Sequence, residues 1–77
     1  MKEIPPPIEK LFDELIRHQE EKLLLSGQEI VPRLSPEDIL QPNDFQELEY
    51  DPLFRYEEGV LKGIHTARAA LFAYLKE

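Results

Sequence analysis

The sequence predicts an all-α fold: a two-helix hairpin, completed by dimerisation, whose long structured connector contains short helical turns. Two long segments repeat apolar residues with the period of an amphipathic helix. The segment between them is rich in proline and apolar residues. The 77-residue chain has no cysteine, so no disulfide can stabilise its small core. We expect one domain, 1–77, with helix 1 at 7–25, a connector at 26–51 with turns at 36–41 and 44–49, and helix 2 at 52–75.

The first helix follows a proline-rich start that favours extended chain. Its continuous stripe, apolar except for Gln19, consists of Ile8, Leu11, Phe12, Leu15, Ile16, Gln19 and Leu23. Gly27 comes just after the last apolar turn, which predicts that the helix ends there with Gly27 as a left-handed cap. Leu24 lies outside the stripe, so either the connector or a partner must cover it.

The connector has enough apolar residues to pack as a cap on the core, and a long loop in a compact domain is often functional. Ser35, followed by Pro36 and Asp38, predicts a short helical turn with Ser35 as its N-cap. Two interpretations stay open: the connector only closes the core, or it also binds a partner. The candidate partner surface is Leu24, Ile39, Leu40, Phe45, Leu48 and Tyr50.

The second helix starts at Asp51 and Pro52, residues typical of an N-cap and a first turn. One part of its wide apolar surface is made of large side chains and the adjoining part of small ones. A helical glycine costs roughly 1 kcal/mol relative to alanine, so the small side indicates close approach of another backbone. The alternative is that the glycines avoid a clash with the chain's own loop. The small row contains Gly59, Gly63, Ala67 and Ala70.

Glu57 and Arg68 fall among the large apolar residues of the second helix and are too far apart to pair within it. An antiparallel copy of the helix would place Glu57 of each chain opposite Arg68 of the other, an arrangement that suits a two-fold dimer. Two alternatives remain. The charged groups reach solvent at the rim of the apolar face, or Glu57 pairs with Lys22 or Arg17 of the first helix.

Composition narrows the function classes. The net charge of −7, from 16 acidic and 9 basic residues, argues against nucleic acid and against anionic membrane surfaces as partners. Charged residues within the second helix exclude it as a membrane span. The opening residues MKEIPPPIEK lack the apolar segment of a signal peptide, so we expect a cytoplasmic protein.

Catalytic and metal motifs are sparse. No serine stands in a nucleophile elbow, no glycine-rich phosphate loop is present, and the absence of cysteine removes thiolate chemistry. We therefore expect no enzymatic activity and no cofactor. Glu14, His18 and Glu21 share one edge of the first helix and could bind a metal if they faced their copies in a dimer. The competing interpretation of His18 is a packed or hydrogen-bonded histidine.

The sequence thus predicts a non-enzymatic, acidic helical interaction module, such as an adaptor, a small chaperone-like protein or a regulatory protein. It would form a homodimer through the second helix and bind a further protein partner. The alternatives are a metal-binding helical bundle that uses the first helix, and a structural domain with no ligand. The candidate self-association residues are Glu57, Gly59, Gly63, Ala67, Arg68 and Ala70.

Overall fold

The computed structural model describes residues 6–41 and 44–76, and these residues confirm the all-α class. Helix α1 spans Pro6–Gln28, a 3₁₀ turn spans Asp38–Leu40, α2 spans Gln46–Glu49, and α3 spans Pro52–Lys76. No strand occurs in the described ranges. The proline-rich start expected to be extended lies largely outside them, as does Pro42 of the connector.

The two long helices pack against each other in antiparallel orientation. Phe12, near the start of α1, contacts Phe72 near the end of α3, with ring centroids 6.5 Å apart. Farther along, Gln19 of α1 hydrogen-bonds to Glu57 of α3. The chain therefore forms a hairpin 45 Å long and 18 Å across. No helix in the described ranges is both long enough and apolar enough to cross a bilayer.

The core lies at the connector end of the hairpin. Its buried apolar residues come from both long helices, the connector and α2: Leu23, Val31, Leu34, Ile39, Leu48 and Phe54. Leu24, Ile30, Phe45 and Leu61 pack against this cluster and are partly buried. The connector, including α2, therefore folds over the end of the helix pair and supplies four of these six buried apolar residues.

The end of α1 differs from the sequence expectation. The helix continues to Gln28, and no glycine in the described residues has a positive φ, so the prediction of Gly27 as a left-handed cap is wrong. The amides of Ile30 and Val31 donate to the Gly27 carbonyl. The amide of Glu29 donates to the Leu25 carbonyl, so backbone bonds satisfy these two carbonyls of the last turn.

Gly27 is required by close packing instead. A Cβ built at this position would collide with Cδ2 of Leu34 and lie 3.1 Å from Cε1 of Phe54. Leu34 and Phe54 are both buried. The glycine lets a connector side chain and an α3 side chain reach the backbone of α1.

Side chains fix the starts of the short turn and of α3. The Asp38 amide donates to Ser35 Oγ at 3.3 Å, while the Ser35 amide donates to Asp38 Oδ2 at 2.9 Å. This reciprocal pair is a capping box. Asp51 Oδ2 accepts the amide of Phe54 at 2.8 Å, as an N-cap does. The second cap positions Phe54 at the entry to the core.

We predict that Gly27→Ala lowers the free energy of unfolding relative to Gly59→Ala by about 1–2 kcal/mol, because only the first methyl group overpacks the core. Both glycines are helical, and a Cβ at Gly59 meets no atom within 4 Å. Urea denaturation of the two variants measures the difference in solutions dilute enough that self-association does not contribute, because Gly59 is also a candidate self-association residue. Equal stability, or a more stable Gly27→Ala variant, would contradict the close packing at Gly27.

Candidate functional site

A buried polar cluster joins the two long helices near the middle of the hairpin. The Gln19 side-chain amide donates to the Glu57 carbonyl oxygen at 3.0 Å and to Glu57 Oε1 at 3.1 Å. Lys22 Nζ lies 3.7 Å from Glu57 Oε2. Gln19 and Glu57 are both buried. The pairing of Glu57 with Lys22, one of the alternatives from the sequence, is therefore present, and the carboxylate has partners within its own chain.

Arg68 packs within the helix pair. Its guanidinium carbon lies 4.3 Å from the centroid of the Phe72 ring, a cation–π arrangement. Its Nε atom is buried and has no hydrogen-bond partner among the described residues. Glu57 is thus explained by contacts inside one hairpin and needs no intermolecular pair, whereas Arg68 stacks on Phe72 of its own helix and keeps one buried donor unpaired within the described part of the chain.

The small-residue row on α3 is open. Gly59, Gly63, Ala67 and Ala70 are all exposed, and a Cβ built at either glycine meets no atom of the described residues within 4 Å. The alternative interpretation, that these glycines avoid a clash with the chain's own loop, is wrong. Exposed Tyr56 lies at the start of this row. The row leaves a strip of helix backbone accessible to another molecule.

Burial is confined to one end of the hairpin. Within the described ranges, no buried residue occurs before Gln19 in α1 or after Glu58 in α3. We call residues 7–18 and 59–76 the distal half. Leu11 and Leu15 of this half remain 52% and 42% exposed. The other apolar side chains that line its helix pair are only partly buried: Ile8, Phe12, Ile16, Ile64, Leu71, Phe72 and Leu75.

The exposed leucines lie on a side of the helix pair that Ala67 of the small-residue row borders. Leu11, Leu15 and Lys22 share one edge of α1, since they are four and eleven residues apart. The ion pair from Lys22 to Glu57 shows which side of α3 this edge faces. The residues that follow Glu57 at steps of three and four lie on the same side of α3, and they are Val60, Ile64, Ala67 and Leu71. Ala67 therefore connects the side that carries the leucines to the small-residue row, whose glycines lie farther round α3.

A groove of about 540 Å³ lies beside the core at the connector end. Its lining residues are Leu23, Ile39, Leu40, Arg55, Glu58, Leu61, Lys62 and His65. Arg55 Nη1 pairs with Glu58 Oε1 at 3.2 Å. Sequence analysis did not single out Arg55, Lys62 or His65. Their spacing of seven and three residues, which places them on one face of α3, was the available signal.

The structure separates the residues predicted to bind a partner. Leu48 is fully buried in the core, and Leu24 and Phe45 are partly covered by it. Ile39 is buried but borders the groove, while Leu40 is 69% exposed on the groove's edge. Tyr50 is also exposed, but it does not line the groove. The six residues do not form a single surface.

The candidate metal ligands on α1 are not brought together with other ligands. Glu14, His18 and Glu21 are exposed, and Glu21 Oε1 accepts a hydrogen bond from Arg17 Nη1 at 3.0 Å. The described part of the chain has no cluster of three or more histidine, cysteine, aspartate or glutamate residues that could hold a metal ion.

Comparisons with protein-family models, with curated protein sequences and with solved structures gave no match to this chain. The function is therefore inferred from the chain's own residues.

We predict that Gln19→Ala lowers the free energy of unfolding by about 1–3 kcal/mol, because the buried Glu57 carboxylate loses a hydrogen-bond donor. Gln46→Ala is the matched control, since Gln46 is exposed at the start of α2. Its expected effect is within about 0.5 kcal/mol. Chemical denaturation of both variants tests this role, which fails if the two substitutions cost the same.

Proposed function

We propose that this chain is a non-enzymatic interaction module that forms a homodimer through the surfaces of the distal half that carry Leu11, Leu15 and the small-residue row. The proposal rests on one observation: along both long helices, buried residues stop abruptly partway through the hairpin. Both long helices continue well beyond Gln19 and Glu58, yet no described residue in those extensions is buried. A helix pair that exposes its apolar seam in this way gains stability from a second layer.

The exposed leucines supply a driving force. Complete burial of a leucine side chain contributes about 1.5–3 kcal/mol, and Leu11 and Leu15 each have roughly half of their surface still to bury. In a two-fold dimer both chains use the same surface, so each contact residue is buried once in each chain. A four-helix bundle is the architecture that encloses two such hairpins.

The small-residue row sets the geometry of the proposed contact. Gly59, Gly63, Ala67 and Ala70 recur at helical spacing, and Gly63 lies near the midpoint of α3. If the two-fold axis passed near Gly63, the two α3 helices would cross there, where small side chains let their backbones approach most closely. Glycines weaken an isolated helix. The proposed contact explains Gly59 and Gly63, since no contact among the described residues requires a glycine at either position.

The interface proposed here differs in one respect from the sequence-based version. Glu57 is left out, because Gln19 and Lys22 of its own chain already occupy its carboxylate. Arg68 is also left out as a partner of Glu57. The contact rests on the small-residue row together with Leu11 and Leu15.

The small supply of reactive groups supports the proposal of a non-enzymatic protein. The chain has no cysteine. The hydroxyl of Ser35 accepts the Asp38 amide in a capping box, and the hydroxyl of Thr66 donates to the Lys62 carbonyl of its own helix. These hydroxyl groups have structural roles, and neither is paired with a general base.

We predict that the isolated chain sediments as a dimer at low micromolar concentration and that Leu15→Lys weakens the dimer at least about tenfold, since an interfacial charge would lose its hydration. Leu25→Lys is the matched control, because Leu25 is 64% exposed and lies outside the distal half. Its association should equal that of the unchanged chain. Sedimentation equilibrium measures all three proteins.

Gly63→Leu tests the small-residue row separately and should also weaken the dimer, by overpacking. Its control is Ala69→Leu, which adds comparable bulk to an exposed position of α3 outside the row. A monomer at all micromolar concentrations would refute the proposal, as would equal effects of Leu15→Lys and Leu25→Lys.

A further inference from the structure

The groove beside the core reverses the charge balance of the chain. The whole sequence carries a net charge of −7, but the lining includes two basic residues, Arg55 and Lys62, against one acidic residue, Glu58. Glu58 is already paired with Arg55. Lys62 is exposed and forms no ion pair with any residue that the structure describes. An unpaired ammonium group therefore stands on the wall of the groove.

The floor and edge of the groove are apolar. Leu23, Ile39 and Leu61 belong to the core or pack directly against it, so their positions are fixed by the fold. Leu40 lies at the end of the 3₁₀ turn and remains largely exposed at the edge. A rigid apolar floor with an exposed leucine at its edge is suited to another apolar side chain.

We propose that this groove binds an acidic, amphipathic segment of a partner protein. The segment would place an apolar side chain against Leu40 and Leu61 and a carboxylate beside Lys62, with His65 as a further donor. Charge complementarity selects this occupant. An acidic segment is repelled by most of this chain and attracted at the groove, so the groove provides both affinity and position.

The dimensions fit a short helical segment. Arg55 and His65 are separated by ten helical positions, which is about 15 Å along α3. A partner helix of about three turns covers that length and presents apolar residues at every third or fourth position. Such a segment can carry its acidic residues along the side that faces Lys62.

The groove is independent of the proposed dimer. Leu61, Lys62 and His65 fall within the distal half, but helical spacing places them on a different side of α3 from the small-residue row, and neither Leu11 nor Leu15 lines the groove. A monomeric chain would retain the groove, and a dimeric chain without partner binding would retain the self-association surface. The two proposals can therefore fail separately.

Selection from a random peptide library displayed on phage, with the full-length chain as bait, tests the groove. The enriched peptides should combine aspartate or glutamate with leucine or another large apolar residue. A synthetic, fluorescently labelled copy of the most enriched peptide then serves as the probe in anisotropy titrations. Enrichment of basic peptides, failure to enrich any peptide, or enrichment of segments of this chain's own sequence would overturn the proposal.

Two exposed groove residues give the decisive variants. Lys62→Glu and Leu40→Ser should each weaken binding of the labelled peptide by about tenfold, through charge repulsion and loss of apolar contact. Lys10→Glu and Leu25→Ser are matched controls at exposed positions of α1 outside the groove, and they should bind as the unchanged chain does. Equal weakening by variants and controls would overturn the groove as the binding site.

A measurement without substitutions guards against misfolded variants. Addition of the unlabelled peptide to the ¹⁵N-labelled chain should shift the amide resonances of the groove residues, those of Ile39, Leu40, Leu61 and His65 above all. Shifts confined to the small-residue row would place the peptide on the proposed dimer surface and would refute the assignment to the groove.

Discussion

The close approach of Phe54 and Leu34 to the backbone of Gly27 is the contact on which the rest of the fold depends. It joins the end of α1, the connector and the start of α3 at one point, with room for no side chain at position 27. Once Phe54 is seated there, the Asp51 cap starts α3 in the right place. Leu48 and Ile39 can then close over the cluster.

This contact also explains why the two ends of the molecule differ. The connector covers the helix pair only where it is anchored, so its apolar residues protect the region around Leu23 and Phe54. Beyond the Gln19–Glu57 cluster the helices continue as an uncovered pair. Local opening costs least where few apolar groups are buried, and a surface that is only partly enclosed by its own chain is where association gains most.

Periodicity predicted much of this architecture, because the apolar spacing of α1 and α3 is a local property of the sequence. The caps at Ser35 and Asp51 could also be predicted from the sequence, since each depends on residues three positions apart. Gly27 was not, because a glycine after an apolar helical run has the same local pattern whether it caps a helix or admits a distant side chain. Phe54 is 27 positions away in the sequence, and only the folded chain brings it there. Glu57 was ambiguous for the same reason, since its partner lies on the other helix.

Hydrogen–deuterium exchange at several protein concentrations tests most directly whether the connector end is fully packed within a single chain while the distal half is not. The account predicts that amides around Leu23, Leu48 and Phe54 exchange slowly at every concentration. Amides of residues 7–18 and 64–76 should exchange rapidly in dilute solution and slow down as the concentration rises through the dimerisation range. Equal protection of both halves in dilute solution, or slowing confined to the core, would contradict the account.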